Sequence, residues 1–402
     1  MDRGITRRGV LAGIGTGGIA SLAGCSGLSL PGSGEPEAGD WPTFGYDAAN
    51  TGVSPDSPGP SGPGVRWRFP LDLGVGASPA VVGGTVYVTT LQGTAHAVEA
   101  ATGEEDWWFR APFSLFGTPA VADGRVYVAD GGGVLHTLAE GSQSSGSGES
   151  GADVRPAGEA LWWAEGDAGF TASPTVVDGS VYLGTYEGDL HAFDTSDGTG
   201  RWTDVLGDNV DVTPAVVDGL VYAVVPRGVI YALDAATGER VWQTALHVGV
   251  TKDPVVYGGS VYVGSADTSR YGHETRLFAL DAATGEREWD LPLDTGISGS
   301  PAVVDGTVIA GTWGGTLYAF DADDGTERWH VDTGVGITAA PAVADGSVFV
   351  GTLDSELHAI AVDDGTIRWT VETGSGVPHS PAIAGDAVYV ATDGPELLAI
   401  GA

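Results

Sequence analysis

The sequence predicts an all-β fold: an eight-bladed β-propeller of four-stranded antiparallel blades, closed by a strand from its own N-terminal side. Three observations predict it. First, a proline following a small or polar residue recurs at Pro79, Pro119, Pro174, Pro214, Pro254, Pro301, Pro341 and Pro381, at spacings of 40, 55, 40, 40, 47, 40 and 40 residues. Second, each unit holds four short β-like runs separated by turn residues, and such a unit can bury its apolar faces only against its neighbours. Third, a tryptophan ends the fourth run 28 residues after the proline, at Trp107, Trp202, Trp242, Trp329 and Trp369. Insertions displace Trp162 by 15 residues and Trp289 by 7.

Within residues 213–242, PAVV is a first strand, Asp218-Gly219 a hairpin turn, and LVYAVV, GVIYALDA and ERVWQ the next three strands. Four-stranded units arranged radially make a propeller. The eighth unit begins at Pro381 and lacks a fourth strand, while Trp67 precedes Pro79 by the 12 residues that separate Trp107 from Pro119. VRWRF, residues 65–69, therefore supplies the missing strand, and closure removes two sheet edges. An open β-solenoid is the competing architecture, but it needs no such completion. Residues 65–402 form the propeller.

The segments before it carry other signals. Residues 1–24, with Arg7-Arg8, a weakly apolar glycine-rich stretch and Leu22-Ala23-Gly24 before Cys25, resemble a twin-arginine-type lipoprotein signal. Cys25, the single cysteine, is then the lipid attachment site, which places the chain on the outer face of the cytoplasmic membrane. Residues 25–40 read as a flexible tether. Residues 41–64 form an extension whose Trp41, Phe44 and Tyr46 are placed to pack on the ring. An insertion around 140–157 joins the third and fourth strands of blade 2, and one around 266–273 joins the second and third strands of blade 5.

A formal charge of −36 with one lysine, Lys252, argues against nucleic-acid binding, because such a surface repels phosphates. Self-repulsion of this size disfavours a compact state unless salt screens it. The composition resembles that of proteins from extreme halophiles, and the chain is expected to need salt to fold. An acidic surface recruiting a basic partner or calcium is the alternative.

The approaches to the fourth strand, ALDAATGERVW (232–242), ALDAATGEREW (279–289), AFDADDGTERW (319–329) and AFDTSDGTGRW (192–202), resemble the tryptophan-docking motif of the pyrroloquinoline-quinone (PQQ) repeat family. Ala232, Gly238 and Trp242 take its motif positions, which are packing positions. The resemblance covers roughly residues 65–402. It implies one of several roles: a quinone-dependent dehydrogenase, a lipoprotein scaffold for outer-membrane protein assembly, or an exported propeller of another role. The chain departs from the dehydrogenases. It has no adjacent cysteine pair, it is shorter, and no Glu, Asn and Asp trio carries over as calcium ligands. An archaeal halophile would have no outer membrane, so the assembly role does not transfer directly.

Ligands of propellers usually meet the face built from inter-blade loops and second-to-third-strand loops. Candidate ligand-binding residues there are Asp211, Lys252, Asp253 and His379 between blades, with Arg227, Arg270, Tyr271 and Trp313 in second-to-third-strand loops. Lys252 and Arg227 suit a carboxylated ligand, Trp313 a planar one, and Arg270 and Tyr271 a rim. Alternatively, Lys252 pairs with Asp211 or Asp253 and Trp313 plugs the channel. His96, His136, His191 and His358 share one repeat position with Tyr231 and Tyr318, which reads as a packing slot. The sequence offers no metal trio and no nucleophile–base pair. The expected function is a protein-binding or scaffold module, monomeric, with a protein partner. The alternatives are a dehydrogenase using PQQ with calcium, Asp211 then serving as base, or a solute or ligand sensor.

Overall fold

The computed structural model describes residues 39–72, 74–141, 160–250, 252–265, 275–293 and 295–402. Cys25, Arg270 and Tyr271 lie outside the described residues. Eight four-stranded antiparallel sheets follow one another around a ring. Seven are formed by consecutive strands; the eighth joins Ala382–Ala384, Ala387–Thr392 and Glu396–Ile400 to Val65–Pro70. Val65 pairs with Ile400 and Pro70 with Glu396, so the ring closes through the strand at residues 65–69. Exposed ion pairs Arg66–Asp386 and Arg68–Glu396 flank this seam.

Hairpin geometry follows from turn chemistry. Asp123, Asp178, Asp218, Asp305 and Asp345 all adopt positive φ and are each followed by a positive-φ glycine, the combination a tight two-residue hairpin needs. All eight blades repeat one β-bulge between the third and fourth strands, the borrowed strand included, where Val65 opposes Ile400 and Trp67 opposes Ala399; in blade 4, Ala232 opposes Trp242 but Leu233 opposes Arg240, skipping Val241. The bulge bends the outer strand and turns the indole toward the next blade.

That indole is the inter-blade clasp. The Trp202 Nε1–H donates to the Ala235 carbonyl of the next blade at 2.9 Å, and the Tyr182 hydroxyl donates to the same carbonyl at 3.0 Å. Trp67, Trp107, Trp162, Trp242, Trp289 and Trp329 make the equivalent bond. Among the described residues, the Trp369 indole makes no bond of this kind. The turn glycine of the receiving blade lies flat on the indole: at Gly238, with φ +73°, an added Cβ would sit 2.7 Å from the Trp202 ring.

The extension of residues 41–64 does more than pack. Its backbone makes a full circuit of the channel and touches each blade in order. Trp41 pairs both ways with Val81 of blade 1, Pro42 accepts from Val121 N–H of blade 2, and the Thr43 hydroxyl reaches Pro174 O of blade 3. Ala48, Ala49, Thr51 and Gly52 then accept from Val216, Val256, Val303 and Val343, and Gly59 donates to Gly385 of blade 8. The innermost strand of every blade has one unpaired edge facing the channel, and in blades 1, 2, 4, 5, 6 and 7 the circuit bonds to the backbone of that edge. Asn50, buried at φ +59°, donates from Nδ2 to Thr213 O and Pro254 O at 3.2 and 3.1 Å, tying blades 4 and 5. Asp47 holds the turn by accepting from Ala49 N–H, Thr51 N–H and the Thr51 hydroxyl, and burial raises its pKa.

Candidate functional site

In an antiparallel four-stranded blade, the loop after the second strand and the connector after the fourth emerge at the same end. The prolines and their preceding residues therefore converge around the channel at that end. The residues before the prolines line a cup of about 400 Å³ whose walls are mostly Gly, Ala, Ser and Thr, with Phe44 of the extension also lining it. Asp211, Lys252, Asp253 and His379 all line this cup.

A hydrogen-bond belt frames it. The N–H of the residue before one proline donates to the side-chain oxygen of the corresponding residue in the next blade. Thr118 donates to Ser173, Thr213 to Asp253, Asp253 to Ser300, Ala340 to Ser380, and Ser380 to Ser78 across the closure. Ala340 offers no oxygen, so the belt is interrupted after Ser300. Asp253 is thus a strut: one carboxylate oxygen accepts from Thr213 N–H at 2.5 Å and the other from the Ser300 hydroxyl at 2.6 Å. Small polar residues before the prolines looked featureless in sequence, yet they build the mouth. Their signal was the repeat register itself.

Lys252 sits in the cup with its pKa lowered by desolvation, which the nearby charges of Asp253 and Asp211 partly offset. It forms no direct ion pair with either among the described residues. Asp211 is open to solvent within the crowded mouth; desolvation raises its pKa, and Asp253 and Asp208 add to the rise. The His379 imidazole is pushed down to about 4 by burial, against the opposing pull of Asp393 and a hydrogen bond to the Val75 backbone. Two candidates stand outside the cup. Arg227 is exposed, does not line the cup, and is paired with Asp208 at 3.0 Å. Trp313 is 53% exposed and neither lines the cup nor plugs the channel.

Trp313 belongs instead to a rim that sequence reasoning missed. Its N–H donates to Gly296 O, as Leu91 does to Gly74, Tyr186 to Gly169 and Leu353 to Gly336. These four occupy one repeat position in the second-to-third-strand loops, and all four are exposed, as are Phe113 and Phe116 in the connector between blades 1 and 2. Exposed apolar side chains from blades 1, 3, 6 and 7 and from the connector between blades 1 and 2 therefore flank a polar cup at one end of the ring, while Asp393 takes the same position in blade 8. The repeat position after the loop threonine was the available signal.

PQQ is a planar fused-ring tricarboxylate. The cup sets one ammonium group, Lys252, against it and brings two carboxylates near. Asp253 has both oxygens engaged in the belt, which leaves Asp211 as the free carboxylate of the pair for a calcium ion. The rings available for stacking are Phe44 and Phe116. This donor set does not fit the quinone–calcium pair, and no catalytic step is derived through it.

The fold and its repeats define a propeller of the PQQ-repeat class. The chain belongs to the family whose model is described as "Outer membrane protein assembly factor BamB", which matches residues 60–147, 151–296 and 273–402. No curated protein matches it in sequence. Among solved structures it is similar to BamB from Moraxella catarrhalis, at 16% identity, covering 85% of this chain and 100% of that one, with a TM-score of 0.68. A europium-containing methanol dehydrogenase matches at 16% identity over 89% of this chain and 90% of that one, TM-score 0.71. The quinohemoprotein alcohol dehydrogenase from Comamonas testosteroni matches at 17% identity over 91% of this chain and 81% of that one, TM-score 0.71. These likenesses establish the fold.

Proposed function

We propose that this chain is a protein-docking propeller, held outside the cytoplasmic membrane by lipid on Cys25, that binds a partner segment across the rimmed end of the ring. The observation that carries the reading is the rim of Leu91, Phe113, Phe116, Tyr186, Trp313 and Leu353 flanking a polar cup. Exposed aromatic and aliphatic side chains gathered on one face are the anchors that protein interfaces use. Lys252 and Asp211 lie where a polar side chain of the partner would enter. The family description, an assembly factor, supports an interaction role. The acidic surface supports a protein partner over nucleic acid.

A second reading, a quinone-dependent dehydrogenase with a reduced site, draws on the cup volume and on the quinoprotein structures that share the fold. The donor set counts against it. Photo-crosslinking in the native cell tests the docking reading. Probes at Phe113, Trp313 and Leu353 are expected to give discrete adducts, and probes at Asp218 and Asp305 on the hairpin-turn end to give none. Equal labelling from both ends, or none from the rim, would overturn it.

A further inference from the structure

We propose that Asp167, Asp189 and His191 form a binding site for a divalent transition cation such as Zn²⁺ or Mn²⁺. One potential ligand atom from each residue lies within 4.8 Å of the other two. Asp189 and His191 alternate on the strand Asp189–Asp194 and so share a face. Asp167 arrives from the connector between blades 2 and 3. Its position is fixed by Gly166 N–H on Gly133 O and by Phe170, fully buried, on Asp130 O.

The histidine supplies an independent observation. His191 is 4% exposed, its Nδ1 lies 3.0 Å from the Thr203 hydroxyl, and its buried Nε2 has no hydrogen-bond partner. The repeat-equivalent His358 has the same arrangement, Nδ1 on Thr370 and Nε2 3.3 Å from Glu356, the counterpart of Asp189; its Nε2 and that of His96 likewise have no hydrogen-bond partner, so what sets His191 apart is the second carboxylate, Asp167. By equivalence with His358, His191 turns Nε2 toward Asp189.

Comparison across the slot shows what differs. His96 pairs with Glu105 at 2.6 Å, His136 with Asp130 at 2.9 Å and His358 with Glu356 at 3.3 Å. His191 has two carboxylates beside it and, among the described residues, an ion pair with neither. The three groups stand too far apart to bond one another, and rotation of the exposed Asp167 and the half-buried Asp189 side chains toward His191 would let them share a cation. In the tautomer whose Nδ1–H donates to Thr203, the Nε2 lone pair is free for an ion, the arrangement that outer-shell partners impose on metal-bound histidines. One imidazole and two carboxylates suit a first-row transition ion; calcium and magnesium favour all-oxygen sites. The packing-slot reading of this histidine position holds for the other three blades. Blade 3 departs from it because the fold brings in Asp167, which the sequence leaves 22 residues from Asp189.

The site also has a place in the architecture. The Asp189 N–H donates to the Thr185 hydroxyl at the base of the loop carrying Tyr186, and Gly169 of the connector packs beneath the Tyr186 ring. A bound ion would cross-link connector and loop, a consequence independent of the docking role.

The test is calorimetric titration of chelator-treated full-length protein with Zn²⁺, and separately Mn²⁺, in molar KCl with excess Mg²⁺ to occupy diffuse acidic sites. One equivalent is expected, weakened at least tenfold by Asp167→Asn and by His191→Gln and unchanged by His358→Gln. Hydrogen exchange at residues 166–170 and 185–189 should slow when Zn²⁺ is added. Asp167 is exposed, so its variant carries the test if His191→Gln does not fold. The absence of a saturable equivalent, or an equivalent that Asp167→Asn weakens less than tenfold, overturns the proposal.

Discussion

Removing the two donors that share the Ala235 carbonyl should cost more together than the sum of their separate costs. Trp202→Phe deletes one donor and part of the indole, while the Tyr182 hydroxyl still serves the carbonyl at 3.0 Å. A net hydrogen bond is worth about 1 kcal/mol and the lost ring contacts roughly another, so the single variant should lose about 2 kcal/mol. Tyr182→Phe, with the indole still donating, should lose about 1 kcal/mol or less. The double variant leaves the half-buried carbonyl without either donor. That adds about 1 kcal/mol of desolvation cost, for a total of about 4 kcal/mol. Urea unfolding at fixed molar salt, with slopes compared among the four proteins, measures the cycle. At the next junction back, the Tyr127 hydroxyl makes no such bond and Trp162 alone serves the Thr195 carbonyl. The same cycle there should couple by less than about 0.3 kcal/mol. Additivity at the Trp202 junction, or equal coupling at both, would refute the shared-acceptor account.

The remaining predictions test other parts of the frame. Gly238→Ala should destabilise by more than about 2 kcal/mol, because positive φ and the Trp202 ring both oppose a Cβ; Gly219→Ala, at φ +76° in open space, should cost only about 1 kcal/mol by thermal or urea unfolding. Asn50→Ala should lower the melting temperature and speed hydrogen exchange in blades 4 and 5 first, since it frees two carbonyls held by Nδ2. His379 has a folded pKa near 4, below its unfolded value, so the unfolded chain binds the extra proton as pH falls. Its contribution is fully present above about pH 6.5 and is lost as pH drops from there toward 4. His379→Gln should therefore flatten the fall in stability across that window, and an unchanged slope would contradict the burial of the imidazole.

The fold was largely legible because tryptophan and proline recur in register: the indole needs a gap and an acceptor in the next blade, so its spacing reports blade stacking. Trp67 at the matching offset reported closure by the same logic. The circuit of residues 41–64 was only partly legible, because it works through backbone carbonyls and Trp41, Tyr46 and Asn50 are its few side-chain marks. At the mouth, sequence placed Asp211, Lys252 and His379 at the correct end of the ring. It did not show that Asp253 is held as a strut, since that depends on Ser300 lying 47 residues away in the adjoining blade. Nor did it show that Arg227 meets Asp208 outside the cup, a contact between two loops 19 residues apart in sequence. Trp313 stood out as an isolated aromatic, although Leu91, Tyr186 and Leu353 share its repeat position and give it its meaning.

The most direct test of the docking account against the enzyme account is a titration of the full-length protein with PQQ and calcium in molar salt. Tryptophan fluorescence would report binding and native mass spectrometry its stoichiometry. The account predicts no one-to-one complex, because one lysine and a belt-engaged Asp253 do not match a tricarboxylate and its cation. A saturable one-to-one complex that Lys252→Ala abolishes would contradict it and place quinone chemistry in the cup.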